Sequence, residues 1–295
     1  MLWAVFTVIA AAAQTARNAM QRELTATLGT VGATHVRFLF GFPFAVVFLI
    51  GVLTATGASL PHPSLAFWPW VLLGMSMQIG ATATMLAAMN DRSFVVTIAY
   101  TKTEPVQVAI FGFLLLGDKV TPLLATATVI ATAGVIVMSL KRGVAQANGI
   151  KPTVLGLVSA GLFGLSATGF RGAILEIEHT HTFVVAATFT LVVGLAMQSV
   201  TLSTYLALRE PGRLTAIFRA YKLAGFAGFM GALASQFWFL GFAIATAASV
   251  RTLGLVEVLF AQGVTHYVFK QETSPREIAG MSLLVVGVGL LLWAY

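Results

Sequence analysis

The sequence predicts an all-α polytopic membrane protein with ten transmembrane helices, arranged as two inverted five-helix repeats. Of its 295 residues, 58% are hydrophobic and only 9% are charged, whereas a soluble domain carries about 25% charged residues. Ten apolar runs approach the roughly 20 residues that a membrane-spanning helix needs. The chain also aligns with itself at an offset of 153 positions, which brings Glu104 onto Glu257.

The predicted helices follow one another with short connections. Residues that favour turns separate the runs, among them Asn90-Asp91, Gly117-Asp118 and Pro211-Gly212. None of the connections is long enough to hold a soluble domain, so the chain divides only into the two repeats, 1–148 and 149–295. The ten runs lie at 1–21, 32–54, 66–88, 94–116, 122–140, 153–175, 182–206, 219–242, 248–269 and 276–295.

The self-alignment matches residues of one type at equivalent positions of the predicted helices. Two acids each lie near the centre of a run, and two prolines each open one. Because each repeat holds five helices, the second must enter the membrane from the opposite side, as in many secondary transporters. The matched pairs are Glu104 with Glu257, Pro122 with Pro275, and Gly134 with Gly287.

The basic residues indicate the orientation of the chain. A net charge of +7 would suggest a nucleic-acid partner for a soluble protein, but here most basic residues lie in the connections. Connections after odd-numbered helices carry eleven lysines and arginines, and those after even-numbered helices carry Lys119 alone. Because these residues are enriched on the cytoplasmic side, we expect both termini outside. The eleven are Arg22, Arg92, Lys141, Arg142, Lys151, Arg209, Arg213, Arg219, Lys222, Lys270 and Arg276.

Other classes of site find no support in the sequence. The chain has no cysteine, which excludes disulfides and thiolate metal sites. It has no Walker A motif, so ATP is not the evident energy source. We expect no cofactor, no metal, no catalytic residues and no nucleic-acid partner. The expected partners are membrane lipids, a small-molecule metabolite and protons.

The fourth run carries charges where a membrane helix is least tolerant of them. Lys102 and Glu104 lie near its middle, and a charge at that depth costs at least about 2.5–3.5 kcal/mol. Pro105 removes a backbone donor and favours a kink at the same point. We therefore interpret this helix as one wall of a transport site.

Glu104 and Glu257 are the strongest candidates for that site. An ionisable residue at mid-membrane is a functional hypothesis by default, although a structural, hydrogen-bonded acid is the alternative. A buried carboxyl is far cheaper when protonated than when charged. Opening of a cavity to water would therefore release a proton, and we assign this coupling role to Glu104.

The basic residues near these acids have more than one interpretation. Lys102 cannot face Glu104 on a regular helix. It either pairs with Glu257 across the repeat interface or binds an anionic group of the substrate; snorkelling to a polar layer is the structural alternative. Arg251 lies six residues before Glu257, so both could line one cavity wall. We expect Glu257 to be ion-paired and Glu104 to lack a permanent cationic partner.

The remaining candidates are polar and aromatic residues within the runs. Gln78, Tyr100 and Trp238 complete the predicted substrate site, with helix packing as the commoner use of such residues. Gln14, among other amides, is expected to join helices by hydrogen bonds. Arg17, Arg37 and Arg171 lie near the ends of predicted helices, where anchoring at the membrane interface is the expected role.

The chain resembles the EamA-type branch of the drug/metabolite transporter superfamily over its whole length. The resemblance rests on two five-helix repeats with very short connections and on Leu116-Gly-Asp-Lys-Val-Thr-Pro122, similar to the family's Leu-Gly-Glu…Thr turn. Gly134 matches the family's usual glycine, and the second copy of the turn, 269–275, is degenerate. The resemblance implies alternating access around a central cavity, and transport of amino acids, nucleosides, sugars or other metabolites, often by export.

The sequence thus predicts a secondary active transporter in the bacterial inner membrane. With Lys102 and Arg251 in the cavity, an anionic or zwitterionic metabolite such as an amino acid fits better than an organic cation. Proton-coupled export is a further expectation. The alternatives are an intramembrane lipid-modifying enzyme, which would need catalytic residues near one interface, and a lipid flippase, which would need a lateral opening.

Overall fold

The protein is all-helical in the residues that its computed structural model describes, which are 1–89, 100–139, 151–267 and 274–295. No strand occurs within those ranges. The helices are α1 (Leu2–Leu39), α2 (Gly41–Thr56), α3 (Phe67–Met89), α4 (Glu104–Phe111), α5 (Pro122–Ser139), α6 (Lys151–Glu178), α7 (Phe183–Arg209), α8 (Pro211–Arg219), α9 (Tyr221–Ile244), α10 (Ala247–Gly254), α11 (Glu257–Tyr267) and α12 (Pro275–Trp293).

Six of the helical segments are long and apolar enough to cross a membrane, as a multi-pass protein requires. They agree within a few residues with six of the ten predicted runs. The prolines predicted to open α5 and α12 do so, and Ser274 and Glu277 form a capping box at the start of α12. The six segments are Val31–Thr56, Pro122–Ser139, Thr153–Glu178, Phe183–Arg209, Tyr221–Ile244 and Pro275–Trp293.

Three predicted elements differ in the structure. The first helix does not end near residue 21 but continues to a kink at Gly29, whose φ of 70° is accessible to glycine at little cost. The connection predicted around Pro211-Gly212 is partly the short helix α8, in which proline takes the favoured first position. The predicted ninth helix, 248–269, is interrupted between Gly254 and Glu257.

The fourth predicted helix is also interrupted, and the break lies beside Pro105, where the sequence predicted a kink. Lys102 and Thr103 form a turn, and α4 starts afresh at Glu104 with Pro105 in its first turn. The run ends in a π-helical segment, Gly112–Leu116, and a left-handed Gly117. Several predicted features lie outside the described residues, namely Arg92, Lys141 and Arg142, the start of the fourth run at 94–99, and positions 269–273 of the second turn motif.

The helices pack most extensively in three pairs: α1 with α9, α3 with α6, and α5 with α12. Glycines let the backbones approach closely, as is common between membrane helices. A Cβ atom on Gly169 would lie 2.6 Å from the backbone nitrogen of Gly74. In α5 and α12, a Cβ on Gly134 would lie 2.6 Å from the nitrogen of Leu284. The residue that resembled the family's glycine therefore lies at a helix–helix contact.

Candidate functional site

A cavity of about 780 Å³ lies between the two halves of the chain. Its volume falls within the range of small-molecule binding sites. Residues of α1, α3, α6 and α9 line it together with the two interrupted helices. Its wall is largely apolar and aromatic but also carries six ionisable side chains, Arg17, Arg37, Lys102, Glu104, Arg251 and Glu257.

The two interruptions bring both acids to equivalent positions. Glu104 is the first residue of α4 and Glu257 is the first residue of α11. The first turn of a helix carries unpaired backbone N–H groups and the positive end of the helix dipole, both of which stabilise a carboxylate. The break in each helix therefore creates a place where an acid is tolerated within an apolar segment.

Lys102 forms an ion pair with Glu257, so the predicted pairing across the two halves is confirmed. The second oxygen of Glu257 accepts a hydrogen bond from Gln14 Nε2 at 2.7 Å. The amide oxygen of Gln14 in turn accepts a bond from Trp238 Nε1 at 3.0 Å. A chain of polar contacts thus joins four predicted helices at the centre of the cavity wall.

Arg251 pairs with Glu104 rather than accompanying Glu257. Arg251 Nε lies 3.0 Å from Glu104 Oε1, although the two groups do not have the alignment of a hydrogen bond. The guanidinium also stacks over Trp238, 4.6 Å from the ring centre, and lies 5.3 Å from that of Phe242. The expectation that Glu104 lacks a cationic partner is therefore wrong, since the fold brings the α10 arginine to the opposite half of the chain.

Arg17 and Arg37 do not anchor the protein at the membrane interface. They are only 4% and 7% exposed and line the cavity. The interface role predicted for them is wrong because α1 continues two turns beyond the predicted end near residue 21, which leaves Arg17 inside the bundle. Arg17 Nη2 donates to Asn18 Oδ1 at 2.7 Å. Both arginines pass against Gly231 of α9, where an added Cβ would lie 3.5 Å from each side chain.

Arg171 is partly buried and makes its contacts within the protein, so its predicted role as an interface anchor is wrong too. It lies 3.2 Å from Asp118, in the turn that precedes α5, and donates to the carbonyl oxygens of Phe242 and Ala245. Those carbonyls belong to the end of α9, where helices leave acceptors without intrahelical partners. Arg171 therefore joins both halves of the chain at one end of the bundle.

Two of the three remaining predicted site residues line the cavity. Trp238 lines the cavity beside Arg251. Gln78 also lines the cavity, and its side-chain oxygen accepts a hydrogen bond from Gln198 Nε2 at 2.9 Å. Tyr100 is not among the lining residues; its carbonyl oxygen accepts a hydrogen bond from the hydroxyl of Thr103 and so helps to form the turn. Gln14 joins helices by hydrogen bonds, as expected, through its contacts with Glu257 and Trp238. It also lines the cavity.

The comparisons with known proteins show the fold and nothing further. No family model matches this chain, and no curated protein matches it either. The chain is similar to a solved structure described only as "Crystal structure of protein", with a TM-score of 0.71 and 14% identity, over 100% of this chain and 98% of that chain. At this identity the similarity extends to the arrangement of the helices alone.

Proposed function

We propose that the protein is a secondary active transporter that moves a small polar metabolite through the central cavity by alternating access. The proposed plan has ten membrane-crossing segments in two inverted repeats, 1–148 and 149–295, in a bacterial inner membrane with both termini outside. This proposed plan is the one expected of an EamA-type drug/metabolite transporter. The observation that carries the proposal is the cavity itself, whose charged residues come from both halves and include Glu104 and Glu257, each at the start of a helix after a break.

The packing of the helices supports the two-repeat plan. The first helix of the first repeat, α1, packs on the third helix of the second repeat, α9. Reciprocally, the first helix of the second repeat, α6, packs on the third helix of the first repeat, α3. The contact of α5 with α12 joins the fifth helices of both repeats, and α2 with α7 joins the second helices. These pairings remain the same when the two repeats are exchanged, which supports the proposed inverted-repeat plan.

The ion pairs also join the two repeats, although their cations do not lie at equivalent positions of the repeats. Lys102, two residues before Glu104, pairs with the acid of the second repeat, and Arg251, six residues before Glu257, pairs with the acid of the first. A movement of one repeat against the other must therefore change both pairs. Interrupted helices whose ends face the site are typical of transporters that bind substrate near the middle of the membrane.

The two ends of the cavity differ in the contacts that the described residues make. Contacts at the even-numbered connections hold that end together, namely those of Arg171 with Asp118 and of Tyr295 Oη with Ser249 Oγ at 2.9 Å. The cavity extends the other way, to Ser139 and Ala261 near the odd-numbered connections.

The arrangement of the ionisable residues supports transport rather than catalysis. Both acids of the cavity are in ion pairs with cations of the opposite half. A lipid-modifying enzyme or a flippase would act on lipid. Proteoliposomes distinguish the three possibilities, because they report solute flux, lipid turnover and lipid movement separately.

The test is counterflow of radiolabelled metabolites into proteoliposomes of the purified protein, with an anionic, a zwitterionic, a neutral and a cationic panel. We expect saturable uptake of an anionic or zwitterionic compound. The Arg251→Gln variant should abolish it, whereas Arg219→Gln, at an exposed position, should not. Absence of uptake for all four panels, with lipid turnover or flipping instead, would reject the proposal.

A further inference from the structure

Among the described residues that line the cavity, positive side chains outnumber negative ones. They comprise four cations and two acids, and each of these acids is already paired. Lys102 and Arg251 account for those pairs. Among the acidic side chains that the structure describes, none lies within 4 Å of Arg17 or Arg37, so the two additional positive charges of the described lining belong to these arginines.

These two arginines also have unused hydrogen-bond donors. Nε and Nη1 of Arg17 and Nε of Arg37 are buried without a hydrogen-bond partner among the described residues. Arg17 and Arg37 both pass against Gly231 and line the same cavity as Arg251, so three guanidinium groups contribute positive charge to one cavity. Buried charges are normally paired, because an isolated charge in an apolar medium is very costly. The missing partner in this cavity is an anion.

We propose that Arg17 and Arg37 form an anion-binding subsite, and that the transported metabolite is a small dianion, a dicarboxylate or a phosphomonoester. This inference rests on the proposed function and gives its substrate class. Two guanidinium groups offer planar forks of donors that match carboxylate and phosphate oxygens. A charge of −2 on the substrate balances the cavity, whereas a zwitterion leaves the whole excess in place.

The position of the subsite agrees with this role. The side chains of both arginines pass against Gly231, which leaves space for them on the face of α9. The Lys102–Glu257 and Arg251–Glu104 pairs occupy the breaks in the helices. A dianion bound to Arg17 and Arg37 would share the cavity with these pairs and would compete with the acids for Arg251. Binding would thereby influence the contacts that join the two repeats.

The experiment measures binding to the full-length protein in detergent at low ionic strength, by thermal shift and titration calorimetry. The probes are succinate and glycerol 3-phosphate, with succinamide as the uncharged isostere of succinate and alanine as the zwitterion. We expect at least one dianion to raise Tm, and succinamide and alanine to leave it unchanged. Equal shifts with succinamide, or none with either dianion at millimolar concentration, would overturn the proposal.

The variants Arg17→Gln and Arg37→Gln should each weaken dianion binding about 10- to 100-fold, as loss of a charge-assisted hydrogen bond does. Arg219→Gln is the matched control on an exposed helix and should bind like the wild type. Without ligand, both variants should be at least as stable as the wild type, because they remove a buried repulsive charge. Unchanged affinity, or reduced stability without ligand together with wild-type affinity, would show a structural role instead.

Two further measurements, binding of phosphatidic acid and transport into proteoliposomes, distinguish a failure of the proposed subsite from a failure of the proposed transport function. If only phosphatidic acid stabilises the protein, the bound anion is a lipid headgroup and the metabolite assignment is wrong. If a dianion binds in detergent and depends on Arg17, but no compound crosses proteoliposomes, the subsite stands and the transport function fails. If a zwitterion is transported and dianions do not bind, the transport function stands and the subsite fails.

Discussion

Lys102 and Glu257 form an ion pair between the two halves of the chain, and each lies where its own predicted helix is interrupted. Breaking a buried pair by removing one partner typically costs about 3–5 kcal/mol, because the other charge is left uncompensated. Replacing both partners by neutral residues is far less costly. The pair therefore contributes more to the arrangement of the two halves than to net stability.

We expect Glu257→Gln to lower the free energy of unfolding by about 3–5 kcal/mol and the double variant Lys102→Met/Glu257→Gln to recover most of it. Chemical unfolding in mixed micelles measures both. The surface pair of Arg213 with Glu210 is the control, where loss of Glu210 should cost about 0–1 kcal/mol. Additive losses in the double variant would contradict the pairing.

Glu104→Gln tests proton coupling. If a proton exchanges at Glu104 when its contact with Arg251 opens, the variant should transport with a flattened pH dependence. Glu257→Gln should impair transport at every pH, since it leaves Lys102 unpaired. The measurement is the rate of uptake into proteoliposomes across a series of pH values. A Glu104→Gln profile that follows the wild type would assign Glu104 a purely structural role.

Gly254→Ala should disturb the cavity wall. A Cβ at this position would overlap the ring of Trp238, which supports Arg251 by stacking and holds Gln14 by its indole N–H. We expect a loss of about 1–3 kcal/mol in stability, as for other overpacked sites, and weaker ligand binding. Gly263→Ala is the matched control, because nothing lies within 4 Å of its added Cβ. Equal effects of the two changes would argue against the contact.

Gly287→Ala and Gly289→Ala test the contact of α5 with α12. A Cβ on Gly287 would lie 2.5 Å from the backbone nitrogen of Ala131, whereas Gly289 has open space around it. We expect the first change to lower the melting temperature in detergent, with a cost of about 1–3 kcal/mol, and the second to be neutral. If Gly289→Ala proved the more damaging, α12 would have to present its other face to α5.

Cysteine labelling tests the orientation, and the absence of native cysteines makes it simple. Ser59 and Thr180 are exposed in even-numbered connections, and Thr215 is exposed on α8 in an odd-numbered one. From the distribution of lysine and arginine, we expect Ser59→Cys and Thr180→Cys to react with an impermeant maleimide on intact cells. Thr215→Cys should react only after permeabilisation. The reverse pattern would place the termini in the cytoplasm.

The sequence alone determined the features that follow from local rules. Apolar runs predict helices because a backbone in lipid must satisfy its own hydrogen bonds, and turn residues end them wherever they occur. Six of the runs are spanning-length helices in the structure. Pro105 marked the break in the fourth helix, since the loss of an N–H and the ring's clash act within one turn. The self-alignment also identified both acids that begin helices after a break.

Only the tertiary structure decided which charges meet. Arg251 lies on the same predicted helix as Glu257, yet it pairs with Glu104, which is remote in sequence. Likewise, Arg17 lay near the end of an apolar run, but the helix continues beyond it and α9 packs against that face. A side chain's depth follows from its own sequence neighbours, whereas its partners depend on which faces of distant helices pack together. Contacts between distant helices produce no periodic pattern in the sequence. The sequence therefore could not predict that Arg17 and Arg37 line one cavity.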